Sequence, residues 1–229
     1  MLVLPVMIEV TEREGYMAKG LLIASFDFSG AAADEFHDWY DLEHIPEREA
    51  VPGFGACERW IGDENLNFSV ATYDLDTVEV LQSKDYMAIG GANLTVWSKR
   101  VTAMSKRLLR FEGTQINPGD ADAPVGAGGL LLNAMNVAPD AEADFNAWYD
   151  EEHLPALMAV PGTLSARRYR SVVEGVGVRR YVAIYHLNSP DITRSDAWKT
   201  AVDTPWSARL RPHFRDHLRI LTKRYVREN

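Results

Sequence analysis

A displacement of 109 residues maps this chain onto itself. Phe36-His37-Asp38-Trp39-Tyr40-Asp41-Leu42-Glu43-His44-Ile45-Pro46 falls on Phe145-Asn146-Ala147-Trp148-Tyr149-Asp150-Glu151-Glu152-His153-Leu154-Pro155. At the same offset Val51-Pro52-Gly53 meets Val160-Pro161-Gly162, Arg59 meets Arg168, and Trp97-Ser98-Lys99-Arg100 meets Trp206-Ser207-Ala208-Arg209. Ala71-Thr72-Tyr73-Asp74-Leu75 pairs with Ala183-Ile184-Tyr185-His186-Leu187 at offset 112, a three-residue insertion near Gly175-Val176-Gly177 that is compensated later. One offset kept across separated matches reads as an internal duplication, so the chain must house two copies of whatever one unit forms.

Each unit reads strand, helix, strand, strand, helix, strand. Short apolar runs at Leu21–Phe28 and Gly129–Val137 open the two units. Helices are expected over 31–50 and 141–159, where apolar residues recur at helical spacing, and Val-Pro-Gly ends each. Strands are expected at Gly55–Ile61, Phe68–Leu75, Leu164–Ser171 and Arg180–Leu187, with last strands near Leu108–Glu112 and Leu218–Tyr225. Thr114–Gly128, rich in Gly, Pro, Ala and Asp, reads as a linker between a first unit (1–113) and a second (129–229). A βαββαβ unit covers only one face of its sheet with helices. The bare face needs a partner, and the tethered partner is the other unit. The expected fold is α+β, with two four-stranded sheets packed face to face into one eight-stranded barrel.

An apolar fraction of 46% over 229 residues is enough for a sizeable core. The formal net charge of −9 argues against nucleic acid or an anionic membrane as partner. It is unevenly spread: residues 1–115 carry 10 basic and 19 acidic side chains, residues 116–229 carry 14 of each. The arginines gathered between Arg209 and Arg227 read either as an anion-receiving feature or as a solvated face. A single cysteine, Cys57, excludes an intrachain disulfide framework and suits a reducing cytoplasm; an ordinary buried thiol is its plainest role. Met1–Val10 is apolar but short, without a basic lead-in and followed by Glu12 and Glu14, so neither a signal peptide nor a membrane span is expected there.

The shared helix segment holds the candidate chemistry. Residues three and four apart share a helix face, which sets Phe36, Tyr40 and His44 in one stripe, matched by Phe145, Tyr149 and His153. Asp41 and Asp150, three residues before the histidines, are expected to reach each imidazole. A histidine so held trades protons near neutral pH; a tyrosine one turn away can bind a substrate oxygen; Trp39 and Trp148 with the phenylalanines would wall a site for a flat ligand. A core histidine near a helix end, with His-x-Pro as a helix exit, is the plainer reading of the same residues. Arg59 and Arg168 lie on the second strand of each unit, placed either to meet a carboxylate or enolate oxygen or to form surface ion pairs. Trp97 and Trp206 read as packing residues. His186 and His213 stand where the first unit has Asp74 and Met104. No phosphate loop, dinucleotide fingerprint, nucleophile elbow or spaced Cys/His metal cluster is present.

Tyr40-Asp41-Leu42-Glu43-His44-Ile45-Pro46 and Tyr149-Asp150-Glu151-Glu152-His153-Leu154-Pro155 resemble the Tyr-x-x-x-His-x-Pro signature of the EthD-like family, within the dimeric α+β-barrel (ferredoxin-like) superfamily. The resemblance covers both units. It implies that His44 and His153, beside Tyr40 and Tyr149, line a pocket between helix and sheet where related isomerases and cyclases transfer protons. The chain departs from the family in being a fused tandem, and it lacks the Gly-x-x-Asp-Gly motif of haem-binding dye-decolourising relatives. The expected function is a cofactor-independent isomerase, cyclase, lyase or monooxygenase acting on a small apolar carbonyl or phenolic compound. In that reading His44 or His153 moves a proton, Asp41 or Asp150 orients it, Tyr40 or Tyr149 binds oxygen, and Trp39, Trp148, Arg59 and Arg168 contact substrate. A non-catalytic ligand-binding protein and a haem protein with a histidine axial ligand are the alternatives. A homodimer of the fused barrel stays open.

Overall fold

A computed structural model describes residues 17–227 of the chain; the reading of Met1–Val10 and of Glu12 and Glu14 falls outside them. Eight strands form one closed barrel in the order β1-β3-β2-β8-β5-β7-β6-β4. The first half supplies β1 (Gly20–Asp27), β2 (Phe54–Gly62), β3 (Phe68–Leu75) and β4 (Lys106–Asn117); the second supplies β5 (Gly129–Val137), β6 (Thr163–Ser171), β7 (Tyr181–Leu187) and β8 (Phe214–Arg224). All neighbours run antiparallel. The halves join where the last strand of each pairs with the second strand of the other, β4 with β6 and β8 with β2. Closure leaves no free sheet edge.

β1, β3, β5 and β7 are buried on both faces, which is why β1 and β5 read as continuous apolar runs, while β4 and β8 keep one face largely exposed. Leu21, Ile23, Trp60, Val70, Phe111, Leu130, Leu132, Tyr169, Ile184 and Ile220 fill the barrel. The alternate residues, among them Leu22, Phe26 and Tyr73 in one half and Leu131, Met135 and Tyr185 in the other, face outward under the helices. Those helices are α1 (Ala33–Trp39), α2 (Ile45–Glu49), α3 (Lys84–Ile89) and α4 (Val96–Met104) over the first half, and α5 (Glu142–Trp148), α6 (Leu154–Met158), α7 (Asp196–Val202) and α8 (Pro205–Leu210) over the second. Among the described residues no helix is long and apolar enough to cross a membrane.

The expected linker is shorter than its composition suggests, because β4 runs on to Asn117. Gln115 is buried there and satisfies both ends of its amide, accepting from the backbone N–H groups of Gly119 and Ala121 and donating to Ala121 O and the Tyr169 hydroxyl. A polar residue so bonded joins a core strand without an apolar signature.

One end of the barrel interior is polar. Arg167 donates to both carboxylate oxygens of Asp74 at 2.6 and 3.2 Å, and His186 Nε2 lies 3.4 Å from Glu58, which also accepts from Arg224 at 2.6 Å. Glu58 and Arg167 occupy corresponding positions of the two halves, as do Asp74 and His186. The first half therefore contributes the acids and the second the bases.

Gly129 opens β5 against the turn at Pro190, where a Cβ would stand 2.7 Å from the Pro190 nitrogen and 2.9 Å from its Cδ. Backbone cannot step aside as a flexible side chain does. Gly129→Ala is expected to lower stability by about 1–3 kcal/mol in chemical denaturation; an unchanged midpoint would show that the turn yields.

Candidate functional site

The motif helix does not stop at its proline. In each half it continues through a single π-helical turn, Tyr40–His44 and Tyr149–His153, with Ile45 N–H bonded to Tyr40 O and Leu154 N–H to Tyr149 O. Pro46 and Pro155 lack an N–H, and their rings would strike the carbonyl four residues earlier in a regular α-helix. The wider turn relieves that clash, and such bulges recur at functional sites. His-x-Pro is thus a helix widening, and the exit comes at Val-Pro-Gly, with Gly53 and Gly162 at φ 90° and 94°.

The widening resets which residues meet. His44 lies against Trp39, five residues back, with ring centroids 4.4 Å apart, and His153 stacks on Trp148 at 4.1 Å. The Phe36–Tyr40–His44 stripe is present, with successive centroids at 5.1 and 5.2 Å, as is its counterpart at 5.0 and 5.2 Å. The carboxylates point elsewhere. Asp41 pairs with Arg59 and with Arg227; Asp150 accepts from Asn117 at 2.9 Å and lies 3.8 Å from Arg168. Neither orients a histidine, because the added residue of the π turn swings them towards the β2 and β6 arginines. His44 Nδ1 and His153 Nδ1 are buried without a hydrogen-bond partner.

Both histidines wall cavities between helices and sheet. The first, about 510 Å³, is lined by Leu22, Phe26, Trp39, His44, Tyr73 and Tyr86 together with Arg48, Arg107 and Arg110. The second, about 310 Å³, is lined by Leu131, Met135, Trp148, Tyr149, His153 and Trp198 together with Lys199, Arg211 and Arg219. Tyr149 reaches its cavity. Tyr40 lies behind the wall under Arg59, whose guanidinium is 4.5 Å from its ring, and Tyr73 from β3 takes the place expected of it. The Tyr40 and Tyr73 hydroxyls are close enough to influence each other's ionisation, yet neither completes a hydrogen bond of ordinary geometry. Tyr73 was visible in the sequence only as part of the Ala-x-Tyr match with Tyr185. Arg48, Arg107 and Arg110 had no signal, since they converge from separate elements.

Arg59 and Arg168 line neither cavity, nor do they form surface ion pairs. Arg59 is buried between the rings of Tyr40 and Tyr225 and contacts His37 at 2.8 Å. Arg168 is buried over Tyr149 and Tyr181 and donates to Asn146 at 2.6 Å. Each clamps its strand to the helix from the side away from the cavity. The motif glutamates are braces as well: Glu43 accepts from Thr95 and Ser98, and Ser98 accepts from Trp39 Nε1. In the second half Trp148 Nε1 likewise donates to Ser207 and Thr204 to Glu152, with Ser207 joined to Thr204 rather than to the glutamate. Trp97 and Trp206 donate to Glu35 and Asp144 at 2.9 Å, so they tie helices together as well as pack. Cys57 is half-buried, and burial pushes its thiol up to about 12, an unreactive state at neutral pH.

Burial, then the charges of Arg211 and Arg168, push His153 down to about 3. Burial, then Arg48, Arg110 and Arg59, hold His44 well below its ordinary value. Both imidazoles are neutral in the folded protein, whereas in the unfolded chain each takes up a proton near pH 6.5. The unfolded state then binds more protons below that pH, so stability is complete above about 6.5 and falls as the solution is acidified towards the folded value. At pH 5 the loss from His153 alone is about 2 kcal/mol, with His44 acting in the same direction. Unfolding followed from pH 7.5 to 5 is expected to show this slope, flattened in His153→Gln; a variant as acid-sensitive as the parent would rule out a neutral buried imidazole.

No family model and no curated protein matches the chain. Solved structures do. TA0507, provisionally named a chlorite dismutase, aligns with a TM-score of 0.60 at 15% identity over 92% of this chain and 96% of its own. An anthrone oxidase-like protein aligns with a TM-score of 0.59 at 12% identity over 91% and 92%. A variant of the chlorite dismutase from Candidatus Nitrospira defluvii gives a TM-score of 0.55 at 11% identity over 91% and 92%. At such identities the likeness establishes fold alone. The chain has the dimeric α+β-barrel fold, with both sheets of the barrel drawn from one polypeptide.

Proposed function

We propose that the protein is a small-molecule enzyme in which a neutral, buried histidine takes a proton from an apolar carbonyl or phenolic compound held between helix and sheet. One observation carries this reading: in each half a histidine that makes no hydrogen bond among the described residues lines a largely apolar cavity, its Nδ1 buried behind the wall. An unpaired buried polar atom costs roughly 1–3 kcal/mol, and the same cost is carried in both halves, which supports a role for the imidazole beyond packing. The cavities are within the ordinary range for small-molecule sites, which begins at about 300 Å³.

In this mechanism the apolar walls around Trp39 and Trp148 strip water from the bound compound. The neutral imidazole accepts the proton of a phenolic O–H, or of a carbon next to a carbonyl, and becomes imidazolium. The negative charge developing on the substrate beside it raises the basicity that burial and the arginines hold down before substrate binds. The electron pair left behind moves onto the substrate oxygen, on the side walled by Tyr73 in the first cavity and by Tyr149 in the second, whose hydroxyl donates to it. Return of the proton to a different atom of the substrate gives isomerisation; attack of the enolate within the substrate gives cyclisation. Oxygen insertion, suggested by the monooxygenase and oxidase names of fold neighbours, would begin from the same anion with dioxygen as the oxidant. A haem ligated by either histidine fits less well, since an axial imidazole ordinarily donates its second nitrogen to a carbonyl or carboxylate, and Nδ1 here meets neither.

The test is turnover of a panel of cyclic ketones, lactones and phenols by the parent chain and by His44→Gln and His153→Gln. Loss of turnover in a variant that keeps its circular dichroism spectrum supports the assignment. Full turnover in the double variant overturns it.

A further inference from the structure

The two cavity walls share an electrostatic character that the rest of the chain does not. Between them they carry six basic side chains, Arg48, Arg107, Arg110, Lys199, Arg211 and Arg219, and no acidic one, although the chain holds 33 acidic residues against 24 basic. This character is not simply copied between the halves. Arg110 and Arg219 correspond, but Arg48 corresponds to Leu157, Lys199 to Met87 and Arg211 to Thr102, so each cavity also became basic at positions of its own.

Four of the six are already neutralised from outside the wall: Arg48 by Glu47 at 2.6 Å, Arg110 by Glu112, Lys199 by Asp196 at 3.3 Å and Arg211 by Asp203 at 3.0 Å. Arg107 and Arg219, both exposed at the cavity mouths, make no ion pair within 4 Å among the described residues, Glu64 acting on Arg219 only from farther off. The strand positions explain the contrast between the halves. Glu112 faces Leu22 across the β1–β4 ladder and Leu221 faces Leu131 across the β5–β8 ladder. The carboxylate that satisfies Arg110 is thus replaced by a leucine beside Arg219. His44 and His153 line the same cavities, His153 being only 9% exposed.

Resting on the reading that these cavities receive a small molecule, we propose that the ligand is an organic anion: an aromatic or otherwise apolar body bearing one carboxylate. Its body lies against Trp39 and Phe26, or Trp148 and Met135, and its charge is met by Arg107 in the first cavity and Arg219 in the second. The carboxylate that neither Asp41 nor Asp150 brings to the histidine comes with the ligand. A guanidinium matches a carboxylate in shape as well as charge, which a neutral polar group does not.

Isothermal titration of the full chain with cinnamate and with cinnamamide, equal in shape and unequal in charge, tests this. Cinnamate is expected to bind at least about tenfold more tightly than the amide, as a charge-assisted hydrogen bond requires, and to weaken as salt is added. Arg107→Gln together with Arg219→Gln should remove the preference, and lysine at both positions should keep part of it, with melting temperatures unchanged. Equal binding of acid and amide, or a preference that survives the glutamine variants, overturns the anion assignment and leaves the histidine mechanism standing. Binding of neither compound, with turnover of neutral ketones or phenols lost in His44→Gln or His153→Gln, also overturns the anion assignment alone; binding of neither without such turnover overturns both.

Discussion

Arg167→Ala is expected to cost about 3–5 kcal/mol of stability, because it leaves Asp74 buried inside the barrel without a counter-charge. Arg167 is 1% exposed and Asp74 7%, so water cannot replace the lost guanidinium, and the bidentate contact at 2.6 and 3.2 Å is the strong kind. Asp74 also accepts from the backbone N–H of Ala123 at 2.8 Å, which ties the connection between the halves to the same ion pair. For a chain of this size the loss corresponds to a fall in melting temperature of roughly 10 °C or more. Asp74→Ala should cost a comparable amount. The exchanged pair, Asp74→Arg with Arg167→Asp, should recover part of it, because the two groups would again meet across the same junction. A single variant that melts with the parent would mean the pair is hydrated after all. The pair matters beyond its energy. Both interior acids come from the first half and their partners from the second, so only unlike halves are complementary at this end of the barrel.

The second large effect concerns rate. His44→Gln combined with His153→Gln is expected to lower kcat for a proton-transfer substrate by about 10²- to 10⁴-fold, the usual contribution of one positioned acid–base group. Glutamine keeps polar volume beside Trp39 or Trp148 and cannot take a proton. The single variants will divide the loss unequally. The cavities differ in volume, about 510 against 310 Å³, and Arg48 in one stands where Leu157 lies by the other, so a given substrate is expected to suit one better than the other. Stopped-flow or steady-state rates of the two singles identify which cavity works. Equal loss in both singles would instead indicate a reaction that needs the two halves together.

Much of the strand pattern and the α+β class were legible because they depend on local period and on a repeat. Phe68–Leu75 and Gly129–Val137 coincide with β3 and β5, and the bare face of a four-stranded sheet requires a partner whatever its residues are. The helix segment was legible as a helix, since its apolar positions recur at the right interval. Its contacts were not. Pro46 and Pro155 convert one turn to π geometry, and the face shared by Asp41 and His44 in an ideal α-helix ceases to exist. A one-residue change in turn size redirects every later side chain, and spacing arguments assume the regular turn.

The repeat and the sheet's need for cover determined that two like units would share one core, and the motif placed a histidine on each helix. Those conclusions follow from chain-local physics. Which groups meet that histidine was decided only by tertiary structure: Asp41 goes to Arg59, Tyr73 rather than Tyr40 reaches the cavity, and Arg107 and Arg219 arrive from the last strand of each half. The same holds for Asp74 and Arg167, 93 residues apart in sequence and bonded inside the barrel. Long-range partners are set by how the strands close, and barrel closure leaves no periodic trace in the amino-acid order.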